Sequence, residues 1–246
     1  MDRSEVSKSK ARDQEPKTKS TFDNRKAGIS SQVLSKQTLA DIARDLATRD
    51  KQLAGIFQRH GPPPLWRRAT GFATLVHIIL EQQVSLRSGK AMFDRLSAAI
   101  DPFRPEEFVE RGENYLRSLG VTRQKSAYLV HLASLIVGGE LDLARLSRMD
   151  DENARLALMR VKGIGSWSAD VYLLMAMRRP DIWPAGDLAL AVAAQDLMGL
   201  TIRPTPDELE GLAERWRPHR AVAARMLWQY YLAKKAESKK TLTRTS

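Results

Sequence analysis

The chain has 246 residues, 40 Lys and Arg against 29 Asp and Glu, a net charge of +11 and no cysteine. The missing cysteines exclude disulfides, thiolate zinc sites and cysteine-held iron–sulfur clusters, and four histidines without HxH or HxxxH spacing suit a zinc deaminase poorly. A chain of this length buries one sizeable core or two small subdomains, and its basic balance suits a polyanionic partner.

Residues 1–36 are polar and poor in aromatics, so they bury too little to fold alone and are expected to form a disordered basic arm. They carry nine Lys or Arg against five acids, and residues 233–246 carry five against one, so the tails hold 8 of the 11 net charges. The body between them is only mildly basic, and its affinity for an anion must come from local patches rather than a global field. No apolar h-region opens the chain and no apolar run approaches about 18 residues, so neither a secretory signal nor a membrane span is expected.

Helical periodicity without period-2 alternation predicts an all-α body over 37–234, followed by a basic C-terminal tail over 235–246. The helices are predicted over 37–48, 51–59, 69–82, 86–100, 105–111, 123–137, 141–147, 151–160, 166–177, 187–198, 206–216 and 219–234, with Gly and Pro at the stops. The helix over 69–82 is apolar until it ends in Gln82 and Gln83, which read as a solvated helix end, and Ser85 can cap the next helix. Arg123 and Lys125 follow at the start of another helix, as solvated charges or as phosphate contacts.

Two features then stand about twenty residues apart. Gly163, Ile164 and Gly165, preceded by Lys162, form a hairpin (161–166) between two helical patterns; the glycines permit a tight turn and close approach of a charged chain, and Ile164 can pin the turn by burial. The helix after Gly165 points free N–H groups and its positive dipole end outward, a place suited to phosphate. Downstream, the loop 183–186 (WPAG) leads into Asp187, which reads as a helix N-cap and also places a carboxylate at the mouth of that loop. Trp167 can pack into the core or face a site. The segment 207–233 reads as two helices carrying several of the chain's aromatics, Trp228 among them.

The motifs ILEQQVS (79–85), VKGIGSWSAD (161–170), WPAGDLAL (183–190) and ERWRPHRAVAARMLWQYY (214–231), in this order across roughly 45–235, resemble the helix-hairpin-helix (HhH-GPD) DNA glycosylase superfamily in its 3-methyladenine DNA glycosylase II branch. The resemblance implies an HhH-GPD fold of two helical subdomains flanking a cleft. It assigns Asp187 as the catalytic carboxylate that stabilises an oxocarbenium-like sugar, and gives phosphate contacts to Lys162, Gly163, Ile164 and Gly165; Arg123 and Lys125 are added as candidate phosphate contacts from their charge alone. It makes Gln83, with Gln82, a wedge in the duplex, and Trp167 and Trp228 walls around the extruded base. Bifunctional members have a Schiff-base lysine where Trp167 stands, so the resemblance implies a monofunctional enzyme that leaves the strand intact.

The implied partner is double-stranded DNA containing damaged bases, bound by a monomer in a DNA-containing compartment: bacterial-type cytoplasm, or the nucleus of a eukaryote. The implied lesions are 3-methyladenine and 7-methylguanine, cations that favour an indole face. No metal or cofactor is expected, apart from room for a monovalent cation at the hairpin backbone. The alternatives are a non-catalytic hairpin scaffold that binds DNA, and a glycosylase for another lesion such as hypoxanthine or uracil.

Overall fold

The computed structural model describes residues 33–244, and among them every regular element is helical. Eleven α-helices follow one another: α1 Lys36–Arg49, α2 Lys51–His60, α3 Phe72–Glu81, α4 Leu86–Ala99, α5 Pro105–Ser118, α6 Arg123–Val137, α7 Asp151–Met159, α8 Ser166–Met175, α9 Leu188–Met198, α10 Pro206–Ala213 and α11 Arg220–Arg244. Short 3-10 turns stand at Arg145–Arg148 and Glu214–Trp216.

The helices sort into two groups. Helix α3 buries Phe72, Leu75, Val76, Ile78, Ile79 and Leu80, too many for one stripe, and is accordingly packed by α4, α6 and α8. Helices α5 with α6, and α7 with α8, complete that group. The second group joins the two ends of the described chain: α1 and α2 pack on α11, and α9 lies between α11 and α10. One apolar core runs through both.

Local chemistry sets most of the boundaries. Ser35, Asp50, Ser85, Thr122, Asp150, Asp187 and Thr205 each accept a main-chain N–H at the start of a helix. Helix α3 begins at Phe72 rather than 69 because Gly71 precedes it at φ +117. The helix predicted to stop at 111 breaks at Gly112 (φ 68) and resumes to Ser118. The stretch 141–147 forms only a 3-10 turn, since Asp142 spends its carboxylate on the N–H groups of Ala144 and Arg145.

At the ends, residues 1–32 of the expected arm lie outside the described residues. Leu34, assigned to the same arm, is buried and exchanges bonds with Arg178: its N–H donates to the Arg178 carbonyl (2.9 Å) and its own carbonyl accepts the guanidinium (3.2 Å). The last helix runs ten residues past the predicted stop at 234, because KAESKKTLTR (235–244) holds the good helix formers Lys, Ala and Glu and neither Gly nor Pro.

Candidate active site

The hairpin sits between α7 and α8 and is braced from two sides. Gly163 has φ +87, and a Cβ there would lie 2.1 Å from the Tyr128 ring of α6, so both conformation and space demand glycine. One turn along α6, His131 accepts the Lys162 N–H at Nδ1 (3.2 Å), and Ile164 is buried beneath the turn. Gly165 corrects the expectation of two conformationally obligatory glycines. Its backbone is extended (φ −88, ψ −178) and a Cβ would meet nothing within 4 Å. Its use is openness: it is the N-cap of α8, no side chain caps that helix, and Gly165 and Ser166 are exposed. The first N–H groups of α8 therefore face outward with the positive end of the helix dipole.

The other brace comes from the end of α3. Gln82 donates its amide to the Gly163 carbonyl (2.7 Å) and to Ser168 Oγ (3.0 Å), so it ties this loop to the hairpin instead of standing free as a wedge. The adjacent Gln83 is exposed and holds a left-handed backbone (φ 56), between Gln82 and the exposed Val84. Lys125 also departs from its expected phosphate contact: its ammonium donates to the carbonyls of Leu80 (2.7 Å) and Gln82 (2.8 Å), closing the C-terminus of α3, and burial lowers its pKa. Arg123 and Lys162 remain exposed. For a monovalent cation at the hairpin, main-chain oxygens are the available ligands; those of Val161 and Gly163 each accept one hydrogen bond and keep a second lone pair.

Between α7 and α8 lies a partly buried ion pair. Asp170 meets Arg155 Nε at 2.7 Å, joining α8 to α7, and its pKa is pushed up to about 6, first by burial, against the opposing pull of Arg155.

Asp187 is where the two helix groups meet. It caps α9 by accepting Leu190 N–H at Oδ1 (3.0 Å), so the capping role read from the sequence is present. The same oxygen accepts the indole N–H of Trp228 from α11 (3.1 Å), and Oδ2 accepts that of Trp167 from α8 (2.9 Å). Asp187 is 9% exposed, and among the described residues no cationic side chain pairs with it. Three N–H donors from three helices thus aim both oxygens while leaving the negative charge unneutralised. Such bonds to an ion contribute about 1.5–3 kcal/mol each and hold the group without cancelling its field.

Sequence reasoning found Asp187, Trp167, Trp228 and the hairpin but not their supports. Tyr128 and His131 share one face of α6 at i,i+3 spacing, a weak signal that becomes meaningful only when the hairpin lies across them. Trp66, in the loop between α2 and α3, packs edge-on against Trp228 with centroids 6.4 Å apart, and nothing in its local sequence marks it.

Comparison with known proteins gives the family and the fold. Residues 76–218 match the model of the HhH-GPD superfamily base excision DNA repair protein family. The Bacillus subtilis (strain 168) protein YfjP is 26% identical over 185 residues, 72% of this chain, which spans 64% of that relative's length. The Escherichia coli (strain K12) protein named DNA-3-methyladenine glycosylase 2 is 26% identical over 222 residues, 83% of this chain and 75% of its own. Among solved structures, the Schizosaccharomyces pombe 3-methyladenine DNA glycosylase Mag1 in complex with abasic DNA superposes with a TM-score of 0.68 at 22% identity, over 77% of this chain and 95% of that one.

Proposed function

The chain belongs to the HhH-GPD superfamily of base excision DNA repair proteins, and from that membership we propose that it is a monofunctional DNA glycosylase that removes alkylated purines such as 3-methyladenine and 7-methylguanine from duplex DNA. The observation that carries this reading is the unneutralised Asp187 carboxylate, aimed by Leu190, Trp167 and Trp228. A purely structural cap has no use for two indole donors from separate helices.

The steps follow from the groups available. The outward N–H groups at the start of α8, with Lys162 and Arg123 beside the hairpin and at the start of α6, hold the phosphates of the damaged strand. Gln83 enters the duplex from its left-handed turn, and Gln82 keeps that turn in register with the hairpin. The extruded nucleotide brings its sugar to Asp187. As the C1′–N bond breaks, its electron pair leaves with the purine, and the positive charge left on the sugar is stabilised by the carboxylate. Water adds to C1′ and gives up a proton, leaving an abasic site.

A base that already carries a methyl group and a positive charge leaves as a neutral purine and needs no general acid. Trp167 stands where a lyase of the superfamily has its lysine, and an indole forms no Schiff base, so the strand stays intact. The test is incubation with methylated duplex DNA, assay of released bases, and strand analysis before and after alkali. Release of 3-methyladenine with breaks only after alkali is the expected result; tight binding without release of either methylated purine overturns it in favour of a scaffold.

A further inference from the structure

From its position in the chain Trp228 is expected to stack on the extruded base, yet the fold leaves it little surface for that task. Trp228 as a whole is 8% exposed, its N–H is spent on Asp187 Oδ1, and the Trp66 ring lies against it at an interplanar angle of 69°. Of the two indoles bound to this carboxylate and the third, Trp66, packed against one of them, the two that keep open surface are Trp167 and Trp66. We propose that Trp66, rather than Trp228, presents the second aromatic face to the extruded base and thereby sets the preference for cationic purines. The inference rests on the glycosylase reading of the Asp187 site.

The loop that carries Trp66 is built to hold it in place. Trp66 has φ +41, a left-handed conformation that a bulky residue adopts only when its surroundings impose it, and such residues cluster at ligand-gripping sites. The imposition is visible on both sides. The Leu65 carbonyl accepts Nε of Arg225 (3.1 Å), a fully buried arginine whose other nitrogens reach the carbonyls of Leu174 (2.7 Å) and Ala221 (3.1 Å). Two residues after Trp66, Arg68 donates its N–H to the Met175 carbonyl (3.1 Å). Before it, the Pro62–Pro64 run stiffens the backbone, and Gln229 donates to the His60 carbonyl (3.2 Å).

The loop is thus fastened to α8 and α11, the helices that supply Trp167 and Trp228. Among the described residues Arg225 has no carboxylate partner, and its burial lowers its pKa to about 10; the hydrogen bonds that hold it there go to carbonyls, one of them adjacent to Trp66. A purine between two indole faces gains stacking from both, and a methylated, positively charged purine gains cation–π attraction as well.

The test uses the full chain with Trp66→Leu, which fills the space without a π face, and Trp66→Phe, which keeps one. Single-turnover release of 7-methylguanine from duplex DNA is read beside binding of duplex containing an abasic site, which has no base to stack, and beside thermal unfolding. Loss of one stacking face is expected to slow release by Trp66→Leu roughly tenfold, with Trp66→Phe within about threefold of wild type and abasic-site binding unchanged. Release by Trp66→Leu at the wild-type rate overturns the inference and leaves the glycosylase reading intact. Equal losses in both variants together with weaker abasic-site binding overturn it in favour of a role in propping Trp228. Absence of release by the wild type removes the glycosylase reading and this inference together.

Discussion

Asp50 and Asp187 are almost the same device used for two purposes. Each is 9% exposed, each caps a helix with Oδ1, and each receives an indole N–H on Oδ2: Trp216 at 2.8 Å for Asp50, Trp167 at 2.9 Å for Asp187. They differ in what comes next. Asp50 also meets Arg215 Nε at 3.1 Å, which cancels its charge, whereas Asp187 receives a second indole and no cation among the described residues. A buried carboxylate with its counter-ion is cement; one held only by N–H dipoles keeps a field that a developing cation can use. The two sites touch through their aromatics, since Trp216 packs at 5.4 Å on Trp183, which opens the loop leading to Asp187.

Charge removal at the two positions should separate them most clearly. Asp187→Asn keeps size and capping capacity, so DNA binding should stay within about threefold while base release falls roughly a thousandfold, the scale of losing a preorganised electrostatic group. Single-turnover release beside equilibrium binding measures this. Wild-type release by the Asn variant would make Asp187 a second Asp50.

Removing one aiming bond is a milder perturbation. Trp167→Phe keeps a ring but leaves Oδ2 without its donor, and release is expected to slow by about tenfold, the lower end for a hydrogen bond to a charged group. An unchanged rate would show that the other two donors suffice.

At the cement site the effect should appear in stability alone. Asp50→Asn retains the cap but loses the pair with Arg215 and the acceptor for Trp216, at a cost of about 1–2 kcal/mol and a few degrees in melting temperature. Release per folded molecule should not change.

Asp170 sharpens the comparison from a third side, because it has a cation in Arg155 and is still pushed up to about 6 by burial. Its carboxyl takes a proton at higher pH in the folded than in the unfolded chain, where its ordinary value is 3.8. Its contribution to stability is therefore complete below that value and is lost as pH rises through about 6. Unfolding free energies of wild type and Asp170→Asn, compared from pH 4 to 7, should diverge with that sign, and parallel curves would refute it.

Much of the architecture was legible because it rests on local rules. Caps at Ser85 and Asp187, helix starts near 51 and 151, and the apolar run of α3 are short-range properties of the chain, whereas the later start of α3 set by Gly71 was missed. The misreadings occur where a residue has equally plausible local and distant partners. Lys125 and Gln82 look like solvated polar residues, and become braces only because the end of α3 lies against α6 and the hairpin. Gly165 looks like a turn residue and serves as an open helix start.

The sequence by itself determined the helical body, the hairpin turn and the position of one carboxylate at a helix start, because periodicity, caps and glycine act over a few residues. Only the tertiary structure decided that Trp167 and Trp228, from two helices far apart in the chain, converge on Asp187 without a neutralising cation among the described residues, and that Trp66 packs against Trp228 beside them. Which charges find partners depends on which helices pack together, and that is settled by burial across the whole core rather than by any segment of it.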